Sequence, residues 1–314
     1  MTARVAATAK VLCLLYAGLT LAEALLLRAA GMGWFDAICH SFSTLGTGGF
    51  STRNASIGGF CNVGVEIVVT VFMVLASVNF AIYFRLISGR LRDALRDSEL
   101  HAFLIILAVA ICLATAINTG NGRTLASALR VSAFQIASII STTGFGTSDY
   151  TLWRPSAQLL LFTLFFVGGC SGSTGGGVKV IRWTVLLKQL RREFRRILHP
   201  REISTLRING QPGREAFVPI VSSFIFAYLL LVMATAFFGA LAGLDPMTAF
   251  SGALSMAGNI GPAFGALGPS SNYGFLPAAL KWWYCFAMLA GRLEIYTLLV
   301  LAARPFLRFG RAHA

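Results

Sequence analysis

Long apolar runs, each followed by a shorter stretch ending in glycine, constrain this chain more than any other feature. The runs 217–244 and 281–303 exceed the roughly 20 residues that cross a bilayer's hydrocarbon core. Comparable apolar segments cover 9–31, 62–88 and 100–118, and the last run belongs to a segment covering 277–303, five in all. A sixth, 156–187, begins strongly apolar over 159–167 and then breaks at a run of glycines. Of the 314 residues, 56% are hydrophobic and 12% charged, whereas a soluble domain carries about 25% charged residues. A soluble enzyme is excluded by the charge deficit, and a disordered chain by the apolar excess. The sequence describes an all-α integral membrane protein.

Between the apolar runs lie amphipathic stretches at 34–52, 124–147 and 246–265, too short to cross twice as helix and better read as re-entrant segments. They align on one glycine each: Gly49, Gly144 and Gly261, with Ser43, Ser138 and Ser255 six residues before. The chain is therefore an internal repeat of helix, short re-entrant helix, glycine turn and helix, present three times. The expected units are 1–98, 99–215 and 216–314, the second ending in a basic linker.

Charge placement gives the expected topology. The loops joining units, with the termini, hold Arg4, Lys10, Arg85, Arg90, Arg92, Arg96, ten basic residues over 179–214, and Arg304, Arg308 and Arg311. The other side holds Arg28, Arg53, Arg123, Arg130, Arg154 and Lys281. The positive-inside rule makes the joining loops cytoplasmic and turns the re-entrant segments outward. The net charge of +14 is thus a topology signal, and nucleic-acid binding is not expected. Cys13, Cys39, Cys61, Cys112, Cys170 and Cys285 have no CxxC or ligand spacing and read as small hydrophobes. His40 and His199 read as local polar contacts. The apolar stretch 11–27 runs on into a repeat unit, so no cleavable signal peptide is expected.

Non-helical backbone at membrane depth is tolerated only where protein buries it or water lines it. Glycine turns gathered around one axis can aim carbonyl oxygens at a dehydrated cation, as in potassium filters. Candidate filter linings are Thr47, Gly48 and Gly49; Thr142, Thr143 and Gly144; and Asn259, Ile260 and Gly261. The short helices before them would point C-terminal dipole ends at the pore. Asp36 and Asp245 are expected as their N-caps.

The glycine run comprises Gly168, Gly169, Cys170, Ser171, Gly172, Ser173, Thr174, Gly175, Gly176 and Gly177. It is not a P-loop: Val178 separates the last glycine from Lys179, no Ser or Thr follows the lysine, and the preceding segment is a membrane helix. A break in a pore-lining helix fits better, able to obstruct the cavity below the filter. Arg292, inside an apolar segment, needs an interior partner. Glu294 is one, and the carbonyls of the broken helix are the other.

Together the motifs Ser41-Phe-Ser-Thr-Leu-Gly-Thr-Gly-Gly-Phe-Ser-Thr52, Ser141-Thr-Thr-Gly-Phe-Gly-Thr147, Gly169-Cys-Ser-Gly-Ser-Thr-Gly-Gly-Gly-Val-Lys179, Gly258-Asn-Ile-Gly-Pro262 and Ala290-Gly-Arg-Leu-Glu294 resemble the TrkH family, the potassium-translocating membrane subunits of the Trk/Ktr/HKT superfamily. The resemblance implies four such repeats around a pseudo-four-fold pore, with Gly49, Gly144 and Gly261 as filter glycines of the second, third and fourth. It implies that 168–177 is an intramembrane gate loop contacted by Arg292. It also implies potassium uptake at the cell inner membrane, a homodimer, a cytosolic nucleotide-binding regulator of the TrkA kind, and no cofactor beyond the transported ion.

The first repeat has no counterpart here, and three sides cannot complete the filter. The expectation is a truncated version of a longer protein, the alternative a first repeat on another chain. A non-conducting remnant is the competing reading. A membrane-embedded enzyme is a further one, for which the membrane segments offer no paired carboxylate, metal cluster or nucleophile–base pair.

Overall fold

The computed structural model describes residues 2–120, 122–199, 207–208, 211–212 and 217–302. Among the described residues the regular structure is helical apart from one two-residue strand pair, Arg207–Ile208 against Gln211–Pro212. Arg201, Arg214, Arg304, Arg308 and Arg311 of the topology argument lie outside the described residues.

The first unit comprises α1 (Thr2–Ala29), the short helix α2 (Trp34–Leu45), α3 (Val63–Ser77), α4 (Phe80–Ile87) and α5 (Leu91–Leu95). The second has α6 (Ser98–Thr119), short helix α7 (Leu125–Ile140), α8 (Pro155–Leu164) and α9 (Val180–Leu198). The third has α10 (Phe217–Leu241), short helix α11 (Pro246–Gly258), α12 (Ala278–Arg292) and α13 (Tyr296–Ala302). Each short helix packs on the long helix before it and on a helix after it. Ala9–Ala29, Ser98–Thr119 and Phe217–Leu241 are long and apolar enough to span a membrane.

The three helices that follow the turns are all interrupted, where the sequence suggested one break. In 62–88 the chain bends by 93° between α3 and α4. The chain turns through Val78 and Asn79, both extended, and the Asn79 side chain caps the new helix α4 by accepting from Ala81 N at 2.8 Å. In 277–303 the break falls after Arg292, with Glu294 in the left-handed region at φ 54°. The break at 165–179 is the expected one. Hydropathy cannot see the other two, since Val78, Leu293 and Ile295 are as apolar as the helices around them.

Caps set the short helices. Asp245 caps α11 by accepting from Thr248 N at 3.0 Å, as expected. Asp36 does not cap α2: Gly33 holds that position. Asp36 sits in the first turn, where it accepts from Thr52 Oγ1 at 2.7 Å.

Lipid tails are as apolar as leucine, so burial alone does not drive these helices together, and close packing and polar ties must. Asn118 of α6 donates to Ser132 of α7 at 2.9 Å, and Trp283 of α12 to Thr235 of α10 at 3.1 Å. Arg130 of α7 pairs with Glu66 of α3 at 3.3 Å, joining the first two units. Replacing Arg130 by Met should lower the thermal midpoint in detergent, because the buried Glu66 loses its partner at a cost of about 1–3 kcal/mol. Adding Glu66→Gln should restore most of it. A double variant no more stable than the single one would refute the pairing as the cause.

Candidate ion filter and gate

The three turns share one backbone pattern. Thr47, Thr142 and Asn259 have φ of 49°, 57° and 56°, and Gly49, Gly144 and Gly261 have 68°, 84° and 104°. The residue between them, Gly48, Thr143 or Ile260, lies outside the left-handed region. Alternating handedness swings successive peptide planes, so neighbouring carbonyls can face one side. A β-branched residue in that region is a genuine outlier, and two of the three turns have one.

The main-chain carbonyl six places before each glycine accepts the 6→1 bond that closes the short helix, a bond open to any residue type: Gly48 N to Ser43 O at 2.7 Å, Thr143 N to Ser138 O at 3.0 Å, and Ile260 N to Ser255 O at 2.9 Å. In two units the serine hydroxyl also holds the returning strand, Ser138 to Phe145 O at 2.6 Å and Ser255 to Gly261 O at 2.9 Å.

The turns meet head to tail. A Cβ on Gly49 would collide with the Thr143 carbonyl oxygen, and one on Gly144 with the Ile260 carbonyl oxygen. A Cβ on Gly261 would meet nothing within 4 Å. The loops that follow the turns repeat this order: Gly58 N donates to Gly146 O at 3.0 Å, and Tyr150 OH to Ala263 O at 2.8 Å. The nine expected filter residues therefore lie in three adjoining turns, with the ring open between the third and the first. A cavity of about 410 Å³ occupies that side, lined by Thr47, Gly48, Asn259, Gly261, Tyr273 and Arg292 among others.

The ten glycine-run residues form non-helical chain between α8 and α9, and this loop touches all three turns. Thr47 Oγ1 donates to Thr174 O at 2.9 Å. Gly176 N donates to Thr142 Oγ1 at 2.6 Å, and a Cβ on Gly176 would collide with Gly258 O. The left-handed threonines are thus also the anchors of the loop. Its other side docks on carbonyls freed where α3 ends: Cys170 N to Ser77 O at 2.8 Å and Thr174 N to Ala76 O at 3.3 Å. Those carbonyls lack helical partners because of the break at Asn79. Cys170, Gly175 and Gly176 are buried, whereas Ser171 and Gly172 are exposed.

Arg292 does not bond the loop directly. Its Nη1 lies 3.5 Å from Thr47 Oγ1, so it reaches the loop through that threonine. Glu294 pairs instead with Arg182 at 2.7 Å. The cation on the loop itself is Lys179, whose amine donates to Gly175 O. Sequence reasoning passed over Lys179 as a failed P-loop lysine. Gly291 is explained by proximity, since a Cβ there would collide with Ala257 O of α11.

Known proteins are similar to this chain in sequence and fold. A family model for TrkH, described as a cation transport protein, matches residues 1–306. The Trk system potassium uptake protein TrkH of Halomonas elongata is 39% identical over 312 residues, covering 98% of this chain and 64% of that protein. The protein of the same name from Escherichia coli K12 is 36% identical over 311 residues, with the same coverage. The crystal structure of the potassium transporter TrkH from Vibrio parahaemolyticus superposes with a TM-score of 0.91 at 36% identity, covering 98% of this chain and 66% of that one. The chain thus spans just under two thirds of the length of these relatives.

Proposed function

Because the chain belongs to the TrkH family of cation transport proteins, we propose that its units 1–98, 99–215 and 216–314 form three sides of a four-sided potassium uptake pathway. It is a membrane transport protein, not an enzyme. The observation that carries the reading is the head-to-tail contact of glycine on carbonyl from Gly49 to Thr143 and from Gly144 to Ile260. A fourth turn on the open side would set its carbonyl against Gly261 in the same way. The filter is then lined by Thr47, Gly48 and Gly49, Thr142, Thr143 and Gly144, and Asn259, Ile260 and Gly261. The loop from Gly168 to Gly177 is its gate, with Arg292 and Lys179 as positive charges beside the path.

The placement of Arg and Lys supports an inner-membrane orientation with the turns outward and α9 on the cytoplasmic side. There a TrkA-like nucleotide-binding regulator would act on the gate, and two pores would pair as a homodimer. The test is rubidium uptake into proteoliposomes by this chain alone and by this chain joined to the part of the Halomonas elongata relative that it does not match. The joined form should take up rubidium and the chain alone should not. A joined form that inserts and folds but stays silent, while the relative conducts, would refute the reading in favour of a non-conducting remnant.

A further inference from the structure

Glu99, the second residue of α6, is 5% exposed although its carboxylate belongs to an apolar helix. Its Oε1 accepts from Ser171 N at 2.6 Å and from Ile181 N at 3.1 Å. One oxygen therefore holds the glycine loop at Ser171 and, on the far side of the loop, the first turn of α9. That turn needs it, because Lys179 at the N-cap position provides no side-chain bond and the first amides of a helix have no partners of their own. A carboxylate suits a helix N-terminus electrostatically, and amide bonds to a charged acceptor are about twice as strong as neutral ones. The base of the clamp is fixed: Asp97 caps α6 by accepting from Glu99 N at 3.0 Å and pairs with Arg85 at 3.6 Å.

We infer that Glu99 is the positioning residue that keeps the gate loop shut by pinning it to the start of α9. The inference rests on the gate reading above and adds a route for regulation. Displacing the basic helix α9 on the cytoplasmic side strips Ile181 from Glu99 and loosens Ser171 with it.

Cys170, buried beside the pinned residue, reports the loop's release in the chain as it stands. With the other five cysteines replaced by serine, its labelling by a small maleimide should be at least tenfold faster in Glu99→Ala than in the parent. Glu99→Gln, which keeps an uncharged acceptor, should fall between them. If Glu99→Ala does not fold, Glu99→Asp decides, since it keeps the charge but withdraws the carboxylate by one methylene. Faster labelling of folded Glu99→Asp supports the clamp. Labelling at the parent rate in the folded variants overturns it. The gate reading fails separately, if shortening the loop leaves rubidium flux unchanged in the joined form.

Discussion

Gly144→Ala should abolish rubidium uptake in the form joined to the unmatched part of the relative, while the protein still inserts and retains its helices. Two costs combine at this position. Its φ of 84° is a conformation that L-residues rarely adopt, at a cost of about 1–3 kcal/mol. The added methyl would also collide with the Ile260 carbonyl oxygen and press on Pro262. A backbone oxygen cannot rotate out of the way as a side chain would, so the second and third turns must separate. Gly49→Ala should do the same to the first and second turns, through the Thr143 carbonyl. Gly261→Ala separates the two costs, because its φ is 104° but nothing lies within 4 Å of the new methyl. In this chain alone, Gly144→Ala should therefore lower the thermal midpoint much more than Gly261→Ala. Equal drops would mean that backbone strain, not contact between turns, sets the requirement for glycine. Uptake at the parent rate by inserted Gly144→Ala would remove Gly144 from the filter.

The turns were legible in the sequence because their requirement is local. A left-handed residue two places before a glycine, and in two units a serine hydroxyl bonding the chain just past the turn, leave a fixed register in the sequence. The loop at 168–177 was legible for the same reason, since six glycines in ten residues resist helix at about 1 kcal/mol each. What holds the loop was not legible. The carbonyls of Ala76 and Ser77 act as acceptors only because α3 stops at Ser77, within a segment that hydropathy reads as continuous. Glu99 looks like an ordinary acid in the first turn of a helix, and its partners lie 72 and 82 residues away. Arg292 was legible as a buried cation in need of a partner, but the sequence pointed to the loop carbonyls or Glu294. Its partner is Thr47, because Glu294 is turned toward Arg182. Contacts made within a turn leave a pattern in sequence, and contacts made across the fold do not.

Removing residues 172–175 should raise rubidium flux at least tenfold in the joined form without its cytosolic regulator. Those residues include Thr174, which bonds Ala76 O and accepts from Thr47, and Gly175, which accepts from Lys179. A bond within a protein is worth about 0.5–1.5 kcal/mol net, so losing three of them is enough to move a closed loop toward open. The shortening also takes away the backbone at Thr174 that bonds the first turn and shifts Gly176 beneath the other two, which on the proposed gate reading would relieve the steric obstruction.

On the proposed gate reading the charges would make a second, separable barrier. Two like unit charges about 8 Å apart at an effective dielectric of about 20 repel by about 2 kcal/mol, a factor of about 30 in the population of an ion beside them. Arg292→Ala and Lys179→Ala should therefore each raise flux, and more steeply at low ionic strength, where screening is weakest. The shortened loop should raise flux with little dependence on salt. If Lys179→Ala raises flux and Arg292→Ala does not, the electrostatic barrier belongs to the loop's own lysine, and Arg292 serves only to hold Thr47 in place. If the shortened loop, inserted and folded, conducts no faster than the parent, 168–177 is a structural hinge rather than a gate.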